Sequence, residues 1–231
     1  MTFRLFPFAL AVLVASGCSV SGRIESEIES ALPQALGPAQ NYDATVEGAN
    51  LGRGTAERIA ILGERVARQD APVVDRLDLE LRGVRYDRSS KRLLGADSAR
   101  ATARLLASDL SDYLDRQRGV GDARVTLQAP DRATVRVEGE VRGVRLPVAA
   151  EVSGRLVAQD GTVRLDVESV RAGGVNLGGA LTSQLDEFIN PIVDLTDESL
   201  ILRVTGVRVE GDTLILEATG DVTGLRLSGE R

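Results

Sequence analysis

The stretch Leu77-Asp78-Leu79-Glu80-Leu81-Arg82-Gly83-Val84-Arg85-Tyr86-Asp87 decides the fold. Leu77, Leu79 and Leu81 alternate with charged residues, so one side of the segment is apolar and the other is wet. Period two belongs to a half-buried strand, because successive side chains of an extended chain point to opposite faces. The same rhythm returns at Val135 and Val137 around Arg136, at Val163, Leu165 and Val167, and at Leu214 and Leu216 flanking Ile215. Pro130-Asp131, Asp160-Gly161 and Gly211-Asp212 supply turn chemistry between these runs. The pattern predicts a meander of long antiparallel strands with one dry face.

A Gly recurs inside the strand runs, at Gly83, Gly143, Gly206 and Gly224, each followed by an aliphatic residue and an arginine. Interior glycine marks a bulge or bend, so the sheet is expected to curve strongly. Alternation places Arg85, Arg145, Arg208 and Arg226 on the solvent face among other charges. A basic ligand cluster is the competing reading.

Helical periodicity opens the mature chain and interrupts the strands in two further places. Ile24, Ile28, Ala31, Leu32, Ala35 and Leu36 form a stripe opposed by Glu25, Glu27 and Glu29, with Ser21 a candidate cap and Gly37-Pro38 a stop. Pro33 is expected to kink or shorten this helix. Ser108 to Arg118 sets Leu110, Tyr113 and Leu114 against Asp109, Asp112 and Asp115. Gly178 to Val193 carries Leu181, Leu185, Phe188, Ile189 and Ile192 on one side. Arg58 to Val66 suits a helix by composition alone. The fold class is α+β.

Composition excludes much chemistry. The chain has net charge −6, which argues against nucleic acid as a partner. It has no His, one Cys and a single lysine, Lys91. A Ser-His-Asp triad, a Cys-His nucleophile and a His or zinc-cysteine metal site are all excluded. No cofactor motif stands out, and no catalytic or metal-ligating residues are assigned. Gly52-Arg53-Gly54-Thr55 lacks the ending of a phosphate loop and reads as a turn.

Residues 1–17 have the layout of an export signal: Arg4, the apolar run Leu5 to Val14, then small residues before Cys18. Cys18 is the expected lipidation site, which makes the protein a membrane-anchored lipoprotein at the cell envelope, periplasmic or on the outer face. Ala15-Ser16-Gly17 also suits ordinary cleavage, leaving a secreted soluble protein as the alternative. The expected organisation is a signal peptide over 1–17, a lipidated Cys and amphipathic helix over 18–40, and one β-rich domain over 41–231.

The order of the second half carries a resemblance. Residues 135–231 run strand, hairpin, Gly-rich loop, amphipathic helix, Asn190-Pro191, then the strand pair Leu202 to Val209 and Thr213 to Ala218. Upstream, Leu77 to Asp87, Ala99-Arg100-Ala101-Thr102-Ala103 and Asp109-Leu110 fit the same pattern. The chain resembles the LmeA-like phospholipid-binding family from about residue 24 onward. That resemblance implies an envelope protein that binds phospholipid, with a tubular lipid-binding fold in which a strongly curved antiparallel sheet wraps around amphipathic helices. It also implies that Ile59 to Leu62 is a strand paired with Leu77 to Tyr86.

The expected ligand is phospholipid or another acyl-chain lipid, held without catalysis in an apolar groove. Leu181, Leu185, Phe188, Ile189 and Ile192 are the candidate lining, backed by Leu110 and Leu114; ordinary core packing competes at every one. Two other functions stay open. One is a scaffolding lipoprotein that binds another envelope protein and has no cavity. The other is a carboxylate hydrolase, which needs two facing carboxyls in a cleft.

Overall fold

The computed structural model describes residues 20–50, 52–87, 92–116, 122–138, 140–141, 144–145, 149–159, 161–176, 183, 186–187, 189–194 and 202–223. The described chain opens with α1 (Val20–Leu36) and continues through β1 (Asn41–Glu47), β2 (Thr55–Val66), β3 (Val74–Asp87) and β4 (Arg92–Leu106). These four strands are a simple meander, and β3 contains the deciding stretch. Leu79 and Leu81 are buried while Arg76 and Arg82 are exposed, as the alternation requires. The Arg58–Val66 region is strand, and Ile59 pairs with Leu81 and Ile61 with Leu79.

The chain then leaves this sheet. After α2 (Ala107–Arg116) come β5 (Ala123–Gln128), β6 (Arg132–Val137), β7 (Glu140–Val141), β8 (Val144–Arg145), β9 (Ala150–Gln159), β10 (Thr162–Ala172), β11 (Val175–Asn176) and β12 (Val193–Asp194). It returns as β13 (Leu202–Glu210) and β14 (Thr213–Thr223), with β14 beside β4. Sheet A therefore runs β1-β2-β3-β4-β14-β13, and sheet B runs β11-β10-β9-β6-β5 with β12 on β10. Among the described residues, two large antiparallel sheets and the two-stranded ribbon β7–β8 stand where one sheet was expected, and none closes into a barrel.

The strand register of sheet A is irregular near two of the expected glycines. Gly83 has φ +61° and the β3–β4 register slips just after it, between Arg85 and Tyr86. The β13–β14 register slips between Val204 and Gly206. Both agree with a bulge that needs a residue without Cβ or with unusual φ. Gly143 and Gly224 lie outside the described residues. Arg85 pairs with Asp97, and Arg208 with Glu210 and Glu217, all on the exposed face. The outer face of sheet A is laced by such contacts, including Glu47–Arg58–Glu80–Arg82 across three strands. Exposed pairs of this kind add little stability each.

Three helix expectations change. α1 already has helical backbone at Val20, so Ser21 lies inside the helix and does not cap it. It runs through Pro33 to Leu36, and Gly37 ends it at φ +106°, its N–H donating to the Pro33 carbonyl at 3.1 Å. Asp109 was placed on the wet side of α2 but is 5% exposed. Both its oxygens accept from the Arg65 guanidinium, at 2.6 and 2.8 Å, which is what lets a carboxylate sit in the interior. The third helix was expected to reach Val193. Ser183, Asp186, Glu187 and Ile189 are helical, but Asn190 is not, and Val193 begins β12. The Asn190 side chain accepts from Leu165 N–H (2.6 Å) and donates to Leu165 O (2.9 Å), so it docks on β10 like a strand residue and turns the chain.

Candidate functional site

The strand registers put one continuous apolar face on sheet A. Val46, Ile59, Leu81 and Ala99 form one row across β1 to β4; Ala44, Ile61, Leu79, Ala101 and Ala218 form the next, which reaches β14. Further rows add Leu77, Ala103 and Leu216, then Leu105 with Leu214. No charged side chain belongs to these rows. Two different covers lie over the face. Sheet B and α2 cover the rows around Ala103, Leu105, Leu214 and Leu216. The rows around Ile59, Ile61, Leu79 and Leu81 are covered by α1. Leu77 packs against both clusters, so the interior is continuous beneath the two covers.

The α1 cover is built by its own periodicity. Ile28, Leu32 and Leu36 recur every four residues and are 6%, 1% and 6% exposed. Burying three such side chains is worth roughly 5–9 kcal/mol as an upper estimate. The helix also crosses the free edge of β1. Glu29 Oε1 accepts from Ala44 N–H at 3.0 Å, and Glu25 Oε1 accepts from Val46 N–H at 2.9 Å. Edge amides that would otherwise face water or another strand are thus satisfied by carboxylates. Helical spacing sets these two glutamates opposite the apolar stripe, and spacing alone cannot reveal a strand edge beside the helix.

At the other end of α1 the Tyr42 hydroxyl donates to the Gly37 carbonyl at 2.7 Å. Burial pushes the Tyr42 pKa up to about 12, against a small opposing pull from Arg68. The folded state favours the neutral phenol, so this tether is fully present below pH about 10 and is lost as pH rises through about 12. Tyr42→Phe is expected to cost about 1 kcal/mol at neutral pH. It is also expected to flatten the alkaline loss of stability, read from urea melts as a function of pH.

Between α1 and sheet A runs a crease lined by Ile28, Leu32, Leu36, Ile61, Leu79 and Leu93 among others, with a cavity volume of about 20 Å³. That is room for about one water, against the 300–1,000 Å³ of ordinary ligand pockets. Tyr86 pairs with Leu93 across β3 and β4, which puts it on the same face. Its hydroxyl is buried, with no hydrogen-bond partner among the described residues. Such an orphan donor is uncommon and marks a place where a polar group is wanted.

Of the residues expected to line a groove, Leu110, Leu114, Ile189 and Ile192 come together in the core beneath sheet B, each 2% exposed or less. Leu181, Leu185 and Phe188 lie outside the described residues, as does Cys18. The α1 crease is not among the groove residues expected from the sequence. Its signal was the four-residue repeat of Ile28, Leu32 and Leu36, which is shared with any packed helix. Among the described residues, no group of three or more His, Cys, Asp or Glu could hold a metal ion, and no helix is long and apolar enough to cross a membrane.

The geometry defines a β-rich protein whose dominant chemical feature is a broad apolar sheet face closed in part by one amphipathic helix. The chain belongs to the LmeA-like phospholipid-binding family, whose model matches residues 20–219. That span takes in α1, sheet A as far as β14, and all of sheet B. Neither a curated protein nor a solved structure matches the chain.

Proposed function

We propose that this protein is a non-catalytic phospholipid binder of the cell envelope that shelters acyl chains on the inner face of sheet A. The observation that carries the reading is the continuous apolar face, in a chain whose family binds phospholipid. Each methylene withdrawn from water contributes about 0.8 kcal/mol, so a single acyl chain can offset the loss of the α1 contacts. In this reading sheet A curls about the chain or the helix that replaces it. The Tyr86 hydroxyl offers a donor to the polar part of the ligand. Leu110, Leu114, Ile189 and Ile192 form the far end of the same interior, reached past Leu77.

Residues 1–17 act as the export signal and Cys18 carries the lipid anchor. Residues 18–40 then bridge from membrane to domain, and 41–231 form one lipid-binding unit. The absence of His and the single Cys in the sequence support a role without covalent chemistry.

Native mass spectrometry of the purified protein, taken through detergent exchange with phosphatidylglycerol, tests the reading. The expected result is a one-to-one phospholipid adduct. A delipidated, folded protein that takes up no phospholipid overturns it. One observation favours the scaffolding alternative: the crease is nearly filled, as expected of a solid interior. That alternative predicts no adduct under the same conditions.

A further inference from the structure

We infer that α1 is a built-in stand-in for the phospholipid, occupying both the polar and the apolar halves of its site. The inference rests on the phospholipid reading above and adds where the head and tails go. An anionic amphiphile needs hydrogen-bond donors for its head and an apolar floor for its tails. α1 presents that same pair of chemistries along one side. Glu25 and Glu29 give anionic oxygens to the Val46 and Ala44 amides, while Ile28 and Leu32 lie on the leucine and isoleucine floor.

The two amides are two residues apart on an edge strand, so they point the same way and donate to acceptors on the same side. Phosphate and ester oxygens of one glycerophospholipid can take both. The exchange also balances charge, because an anionic head arrives where carboxylates depart. With α1 docked the crease holds only about 20 Å³, so an acyl chain enters by displacing the helix. The docked state therefore lowers the apparent affinity by the fraction of time the site is covered.

The test uses Glu25→Ala/Glu29→Ala and Glu25→Gln/Glu29→Gln in the full chain, with circular dichroism confirming the fold. Uptake of labelled phosphatidylglycerol from vesicles is expected to tighten about tenfold in the alanine variant, and less in the glutamine variant, whose amide oxygens still accept. Hydrogen exchange with short-chain phosphatidylglycerol is expected to expose the α1 amides while Ala44 and Val46 stay protected. Inorganic phosphate, a head without tails, is expected to leave α1 protected. Lipid uptake that is unchanged or weaker in the alanine variant overturns the inference, as does lipid bound with α1 still protected or α1 released by phosphate alone. Each of these leaves the phospholipid reading standing. No uptake by the wild-type chain and both folded variants overturns that reading as well.

Discussion

Arg65→Gln is expected to destabilise the fold by about 3–5 kcal/mol, the range for a buried carboxylate left without its partner. The matching change, Asp109→Asn, is expected to cost about 1 kcal/mol. The asymmetry comes from where the two groups sit. The Asp109 side chain is 7% exposed and both its oxygens are held by Arg65, whereas Arg65 is 38% exposed and has a second partner in Asp75 at 3.3 Å. Removing the cation strands a charge in the interior; removing the anion leaves a cation that reaches water and Asp75. Asp109 also sits in the first turn of α2, where the helix end favours negative charge but does not replace a bidentate partner. Urea melts of both variants check this. Equal losses would show that Asp109 is not stranded when Arg65 is removed and would overturn the asymmetry.

The pair matters to the architecture because it fixes α2 to the end of β2, across 44 residues of sequence. α2 is the hinge between sheet A and the excursion that builds sheet B. That excursion is what the sequence leaves unread. Alternation at Leu77, Val135, Val163 and Leu214 identifies strands and their dry faces, since period two is a local property. It does not say that β14 returns to β4 and that β5 to β12 fold apart, because strand partners are chosen by packing at a distance. Asp109 shows the same limit: helical spacing groups it with Asp112 and Asp115, and only Arg65 makes its burial affordable. Asn190 was visible as part of an ordered pattern, but its docking on Leu165 was not. The candidate site divides in the same way. The apolar stripe of α1 was legible, while its relation to the edge of β1 required the fold.

Leu32→Ala and Leu214→Ala remove the same atoms from sites of nearly equal burial, 1% and 0% exposed, and both are expected to cost about 2–5 kcal/mol. Their effects on lipid should differ. Leu214 lies beneath sheet B, where the loss leaves a closed void between two sheets. Leu32 lies in the α1 crease, where the same loss enlarges an existing apolar gap and loosens the helix that covers it. Apolar voids of this kind stay dry and receive apolar ligands. Leu32→Ala is therefore expected to raise phosphatidylglycerol uptake several-fold while lowering stability, because weaker docking uncovers the site more often. Leu214→Ala is expected to lower stability with uptake unchanged. Urea melts paired with native mass spectrometry read both quantities on each variant. If both variants lose uptake in proportion to stability, the apolar face serves the fold as a whole and α1 has no special place in lipid binding.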